Sequence, residues 1–312
     1  GVLPAQDAGA EDAKAQDVPA PTDEGVPRMT PKVLQEACAS NRGYAAPELN
    51  EVLMLHYKGF RKIEGLDAYT EVRSLFLECN GIRRMENLEV MPKLVSLYLQ
   101  SNCITAIENL EALTKLQYLN LSNNGISQVS GLASLSCLEN INLAANKISS
   151  VEGLQGLAER SSLRSVDVSC NYVEDGDTFV DFWPQNLPQV ECLYLHHNSC
   201  SRGLKDYRRR LISSLPKLRW IDERPVTANE RVGCEAWAVG GKEAEAEAKR
   251  AHYLWEQDEK RRSFDNFRRI QQAAAERARA QKEAQAARDA ARRRAADGLR
   301  ETGALADGWV SL

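Results

Sequence analysis

The chain has 312 residues, 43% of them hydrophobic and 27% charged, which supplies a sizeable core and leaves much of the chain solvated. A formal charge of -4 is too small for the field alone to imply a nucleic-acid or membrane partner, and no run of about 18 apolar residues marks a transmembrane helix. The eight cysteines are scattered without a C-x-x-C pair, so they are expected to act as small apolar residues in a reducing compartment, not as a disulfide framework.

Residues 1–28 are mostly Ala, Asp, Glu, Pro and Gly, too poor in large apolar side chains to offset the entropy of ordering, and are expected to be disordered. The chain opens at Gly1 with no initiator Met and no apolar leader, so it is expected to start inside a longer polypeptide and to carry no secretory signal. Order is expected from Thr30-Pro31, an N-cap followed by Pro at the first helical position. Val33, Leu34 and Ala37 then share one face of a short capping helix within residues 29–50.

Residues 51–203 repeat on themselves. LVSLYLQSNCI at 94–104, LQYLNLSNNGI at 116–126, LENINLAANKI at 138–148 and LRSVDVSCNYV at 163–173 are versions of L-x-x-L-x-L-x-x-N-x-[IV]. The asparagines Asn80, Asn102, Asn124, Asn146, Asn171 and Asn198 fall at spacings of 22, 22, 22, 25 and 27. An earlier unit, Val52 to Ile63, has Lys58 where Asn belongs. This is the leucine-rich-repeat pattern, one short strand and a return segment per unit, here in about seven units. Leu97 and Leu99 are expected to point inward and Tyr98 outward, because strand side chains alternate. No unit buries its leucines alone, so neighbours stack. The expected fold is α/β: parallel strands on a concave wall, short 3₁₀ or irregular convex segments, and an asparagine at each bend that satisfies backbone groups.

Glu64, Glu86, Glu108 and Glu152 recur before a Gly/Asn-Leu pair, with Ser130 on the missing beat; they read as polar starts of the return segments or as an acidic binding strip. Residues 174–189 lengthen the convex side, and Phe179, Phe182 and Trp183 are expected to fill space there. Residues 204–241 are assigned to a C-terminal cap in which Leu218 and Ile221 repeat the strand pattern and Asp222 and Pro225 stop it. Residues 242–298, rich in Ala, Arg, Glu and Lys, form a long helix without a sustained heptad, whose apolar cluster is Tyr253, Leu254, Trp255, Phe264, Phe267 and Ile270. Residues 299–312 are expected to be a disordered tail.

No P-loop, nucleophile elbow or acid–nucleophile set is present, so no enzyme activity is expected. Cys192, His196, His197 and Cys200 are zinc-ligand types, but the register sends Cys192 and His196 to the concave wall and Cys200 into the core; no metal and no cofactor are expected. The concave wall is the candidate site. Its central column reads Met54, Phe76, Tyr98, Asn120, Asn142, Asp167 and Tyr194, flanked by His56, Glu78, Gln100, Tyr118 and His196. Outward aromatics in a groove are binding anchors, unless the N-terminus or capping helix covers them. The proposed partner contacts are Met54, Phe76, Tyr98, Tyr118, Glu78, Gln100 and Tyr194. The arginines of the tail lack stacking aromatics, so no nucleic acid is expected.

The repeats resemble the SDS22-like subclass. MTPKVLQEAC at 29–38, the stretch at 46–89 and WIDERPVTANERVGCEAWAVGG at 220–241 are similar to the axonemal dynein assembly factor 1 family, over about residues 29–262. The insertion at 174–189 and the chain beyond Arg269 match nothing in that pattern. The resemblance implies a non-enzymatic scaffold for cytoplasmic pre-assembly of ciliary dynein arms, present in cytoplasm and cilium. Dynein heavy chains, chaperones or other assembly factors would be its partners, with Trp220, Asp222 and Trp237 in its C-terminal segment. Two other readings are a phosphatase regulatory subunit and a resident axonemal component of the dynein light-chain or regulatory-complex kind.

Overall fold

The computed structural model describes residues 25–158, 160–200 and 203–301. Residues 1–24 of the expected N-terminal disordered segment, and residues 302–312 of the expected tail, lie outside the described residues. The chain divides into two compact units at Val226/Thr227.

The first unit opens with helix α1 (Pro31–Ser40). Thr30 is its N-cap, its hydroxyl accepting the Val33 N–H at 3.4 Å, and Pro31 occupies the first turn. The helix buries Leu34, Ala37 and Cys38, while Val33 stays half-exposed. After a 3₁₀ turn (Pro47–Leu49), Asn50 pins the entry to the repeats. It is buried, accepts the Tyr44 N–H at 2.9 Å and donates to the carbonyls of Tyr44, Ala46 and Pro47.

Strands β1 (Val52–Met54), β2 (Ser74–Phe76), β3 (Ser96–Tyr98), β4 (Tyr118–Asn120), β5 (Asn140–Asn142), β6 (Ser165–Asp167), β7 (Cys192–Tyr194) and β8 (Trp220–Ile221) pair in parallel and in sequence order. Leu53, Leu75, Leu97, Leu119, Ile141, Val166, Leu193 and Ile221 stand in one register and are all buried. Leu97 and Leu99 are 0% exposed on either side of the half-exposed Tyr98. The two-residue period therefore sorts side chains as the sequence indicates, and the architecture is a leucine-rich-repeat solenoid.

Repeat length decides what forms on the convex side. The 22-residue units return through turns that bury Ile104, Ile107, Leu110 and Leu113. The 25-residue unit between Asn146 and Asn171 has room for a 3₁₀ helix (Glu152–Leu157), and the 27-residue unit after it for helix α2 (Gly176–Asn186). All must span a similar distance between neighbouring strands. Extra residues are absorbed by winding more tightly, at about 2.0 Å of rise per residue in a 3₁₀ turn and about 1.5 Å in an α-helix. Helix α2 buries Phe179, Val180, Phe182 and Trp183, with the Phe179 and Phe182 rings set edge-on to Trp183.

Each repeat asparagine ties two units together. Asn124 Oδ1 accepts the Ile104 N–H at 3.0 Å, and its Nδ2 donates at 3.0 Å to Leu99 of the previous unit and to Leu121 of its own. Asn80, Asn102, Asn146 and Asn171 repeat the arrangement, and Asn198 accepts the Val173 N–H and donates to Val168 and Leu195. An apolar residue there would leave buried backbone groups unpaired. The residue before each asparagine lies in the left-handed region: Cys79, Ser101, Asn123, Ala145, Cys170 and His197 have φ between 54° and 59°.

Beyond helix α3 (Tyr207–Ser214) the sheet closes differently from the expected all-parallel wall. Strand β9 (Arg224–Pro225) pairs antiparallel with β8 through a two-residue turn begun by Asp222 at φ 53°, and Pro225 suits an edge strand because it has no N–H to donate. The carboxylate of Asp222 takes over from a next strand. Its Oδ1 accepts the backbone N–H groups of Leu195 and His196 at 2.8 and 3.0 Å, and its Oδ2 accepts the Tyr207 hydroxyl.

The second unit is helical from Ala228 to Glu301 (α4), interrupted at Gly241, whose φ of 74° and ψ of -156° leave the helix. Thr227 Oγ1 accepts the Glu230 N–H. A Cβ on Gly233 would lie 2.3 Å from Lys249 Cε, so the segments before and after Gly241 fold back on each other. The sequence placed residues 228–240 in the cap and began the helix at 242; Ala, Glu and Val around Trp237 instead wind into helix, and the Gly240-Gly241 pair breaks it. Among the described residues, no helix is long and apolar enough to cross a membrane.

Three cysteines, Cys38, Cys200 and Cys234, serve as buried apolar residues, but Cys103, Cys137 and Cys170 are exposed. They sit at outward positions of the repeat, which the expectation of buried cysteines overlooked.

Candidate functional site

The concave wall inherits its chemistry from the last residue of each of the strands β1 to β7. Phe76 and Tyr98 are stacked, with ring centroids 4.4 Å apart and planes 5° from parallel; Tyr118, one rung on in the neighbouring column, lies 5.0 Å from Tyr98 at 38°. Met54 is in register on the next strand. These rings are half-buried by one another, an arrangement that preorganises an apolar platform. Helix α1 meets β1 at the end of the solenoid, where Asn41 Nδ2 donates to Met54 O at 3.4 Å.

The middle of the column is different. Asn120 Oδ1 accepts from Ser122 N and Oγ, Asn142 Oδ1 from Ala144 N, and Asp167 Oδ1 from Ser169 N and Oγ, all within 3.0 Å. These three side chains each have one oxygen engaged by their own strand ends. They also separate Tyr194 from the other candidates, so the structure brings Met54, Phe76, Tyr98 and Tyr118 together and leaves Tyr194 apart. Burial holds the hydroxyls of Tyr118 and Tyr194 above their ordinary titration range.

Beside the platform runs a polar flank. Glu78 and Gln100 occupy adjacent rungs, and His56 Nδ1 lies 3.8 Å from Glu78 Oε1. Glu78 Oε2 and Gln100 Oε1 are buried without a hydrogen-bond partner. Unpaired acceptors in a groove cost free energy until a donor reaches them.

Trp220 and Asp222 meet in the terminal hairpin, where Trp220 Nε1 donates to Asp222 O at 2.6 Å. Trp237 belongs to the helical unit. On the convex side Glu64 and Glu108 are paired with Arg28 and Arg84, and the hydrogen bond from Arg28 holds the Glu64 carboxyl below its usual range. These pairs neutralise two of the four repeat glutamates, Glu64 and Glu108.

The local zinc-type motif does not assemble. Cys192 is half-buried on β7, Cys200 is buried, and burial raises both thiols. His196 and His197 instead meet Cys170 of the previous unit. Sequence reading missed Cys170 because it sought ligands nearby in the chain; the repeat register, which aligns Cys170-Asn171 with His197-Asn198, carried the signal.

Models of leucine-rich repeats match residues 70–126 and 114–156. Over 262 residues, 83% of this chain, it is 55% identical to dynein axonemal assembly factor 1 of Homo sapiens, and over 246 residues, 79% of it, 49% identical to the leucine-rich repeat-containing protein ODA7 of Chlamydomonas reinhardtii. Over about four fifths of its length the chain is homologous to proteins named dynein axonemal assembly factor 1 and ODA7. A Drosophila melanogaster homologue is 44% identical over 78% of the chain. The chain spans 35% of the human, 56% of the algal and 16% of the fly relative. Among solved structures, an internalin of Listeria monocytogenes shares the fold with a TM-score of 0.50 at 23% identity, covering 71% of this chain and 64% of its own.

Proposed function

We propose that this chain is a non-enzymatic scaffold in the cytoplasmic pre-assembly of axonemal dynein arms, holding a segment of a dynein heavy chain, a chaperone or another assembly factor on its concave face. The observation that carries the reading is the match of about four fifths of the chain to proteins named for that role. The Phe76–Tyr98–Tyr118 platform supplies the apolar anchor, and Glu78 and Gln100 supply acceptors for the partner's N–H or cationic groups. The solenoid of residues 51–203 does the docking, while Trp237 and helix α4 give a second contact. The chain works in the cytoplasm and reaches the cilium.

Disrupting the gene in a ciliated cell tests this. Loss of dynein arms and of motility is expected, with the protein in the soluble fraction. Normal arms would contradict the reading, and so would retention on demembranated, salt-washed axonemes, which marks a resident component. Co-purification with a phosphatase catalytic subunit in place of dynein would favour a regulatory subunit instead.

A further inference from the structure

Two successive repeats place a soft and a borderline ligand on the same column. Cys170 and His197 each precede a repeat asparagine and each adopt the left-handed conformation, at φ 56° and 59°. Side chains in this column meet across units, as when Asn123 Nδ2 donates to Ser101 Oγ at 3.1 Å. Here the contact is Cys170 Sγ to His197 Nδ1 at 3.9 Å. His196 completes a group of three ligand atoms that all lie within 4.8 Å of one another, the one His/Cys/Asp/Glu group of this kind among the described residues.

The backbone beneath them is fixed. Cys170 N donates to His196 O at 2.9 Å, and Asn171 and Asn198, the residues that follow in each unit, are buried and hydrogen-bonded. His196 Nδ1 is buried and makes no hydrogen bond, although Asp222 Oδ1 lies 3.5 Å away. A carboxylate beside a ring nitrogen is the arrangement that orients metal-ligating histidines. Tetrahedral zinc, with bonds of about 2.3 Å to sulfur and about 2.0 Å to nitrogen, needs ligand atoms roughly 3.3–3.6 Å apart. The 3.9 Å between Cys170 Sγ and His197 Nδ1 lies close to that range, and all three ligand atoms lie within 4.8 Å of one another. Cys170 and His197 are exposed, so an ion has a path in.

We propose that Cys170, His196 and His197 form a zinc site with three protein ligands and one position open to water, clipping together the two units that end at Asn171 and Asn198. The thiol gives up its proton on binding, so affinity rises with pH. The clip closes a loop between ligands 27 residues apart and therefore stabilises the solenoid.

The test uses the purified full chain, reduced and metal-free, titrated with Co²⁺ and then Zn²⁺. A thiolate-to-cobalt charge-transfer band should appear with one equivalent and vanish as zinc displaces cobalt, and zinc should raise the thermal midpoint. Cys170→Ser should abolish the band, and His197→Ala should weaken zinc at least about 10-fold. Cys192→Ser and Cys103→Ser should leave both readouts unchanged. The proposal is overturned if no band forms, if the band survives Cys170→Ser, or if it is lost in Cys192→Ser instead.

Discussion

Phe76 and Tyr98 face each other with ring centroids 4.4 Å apart because they are the outward residues of paired strands, 22 positions apart in sequence and one rung apart in the sheet. The same two-residue alternation that sends Leu75 and Leu97 inward leaves these rings on the concave surface.

Replacing both, Phe76→Ser with Tyr98→Ser, should cut capture of a dynein heavy chain at least about 10-fold, the scale of a hot-spot loss. The fold should survive, since an aromatic pair contributes only about 0.5–1.5 kcal/mol beyond its buried area. Circular dichroism alongside co-precipitation from ciliating cells checks both halves; undiminished capture would exclude this platform.

Adjacent residues should differ sharply in stability. Leu97 is 0% exposed, so Leu97→Ala should cost about 2–5 kcal/mol. Tyr98→Ala, next to it on the outward face, should cost clearly less. Urea unfolding of the first unit measures the contrast, and equal losses would mean the alternation does not sort core from surface.

Asn124→Ala removes one acceptor for Ile104 N–H and one donor to Leu99 and Leu121. With an unpaired buried group costing about 1–3 kcal/mol, the loss should be about 2–4 kcal/mol by the same measurement. A loss below about 0.5 kcal/mol, the range of surface changes, would show that the ladder is dispensable.

Burial, then the bond to the Asp222 carboxylate, pushes the Tyr207 hydroxyl above its ordinary value of 10.0. Because the folded value is the higher one, its contribution is complete below the unfolded value and is lost as pH rises through the folded one. Tyr207→Phe should therefore lower stability by about 1–2 kcal/mol at neutral pH, and the gap to the unaltered chain should narrow above about pH 10. Denaturation across that range decides it; a gap that stays constant would contradict the raised hydroxyl.

The core was readable because the solenoid copies each position from unit to unit. One correct alignment assigned Leu75, Leu97 and Leu119 to the inside and Phe76 and Tyr98 to the outside together. What the copying does not encode stayed hidden. The half-burial of the rings arises from stacking between strands, and the engagement of Asn120, Asn142 and Asp167 by their own strand ends arises from local turn geometry. Cys170 escaped notice because its neighbours are one unit away along a column, where spacing along the chain is uninformative. The reversal at Gly241 was masked by the helix-favouring residues on either side of the Gly240-Gly241 pair.

The central claim is that partners meet the concave face. A photo-crosslinking amino acid placed at Tyr98, and separately at Lys115, an exposed position outside the strands, measures it in ciliating cells. The account predicts an adduct with a dynein heavy chain, a chaperone or another assembly factor from position 98 and none from 115. An adduct from 115 alone, or a phosphatase catalytic subunit captured at 98 in its place, would contradict it.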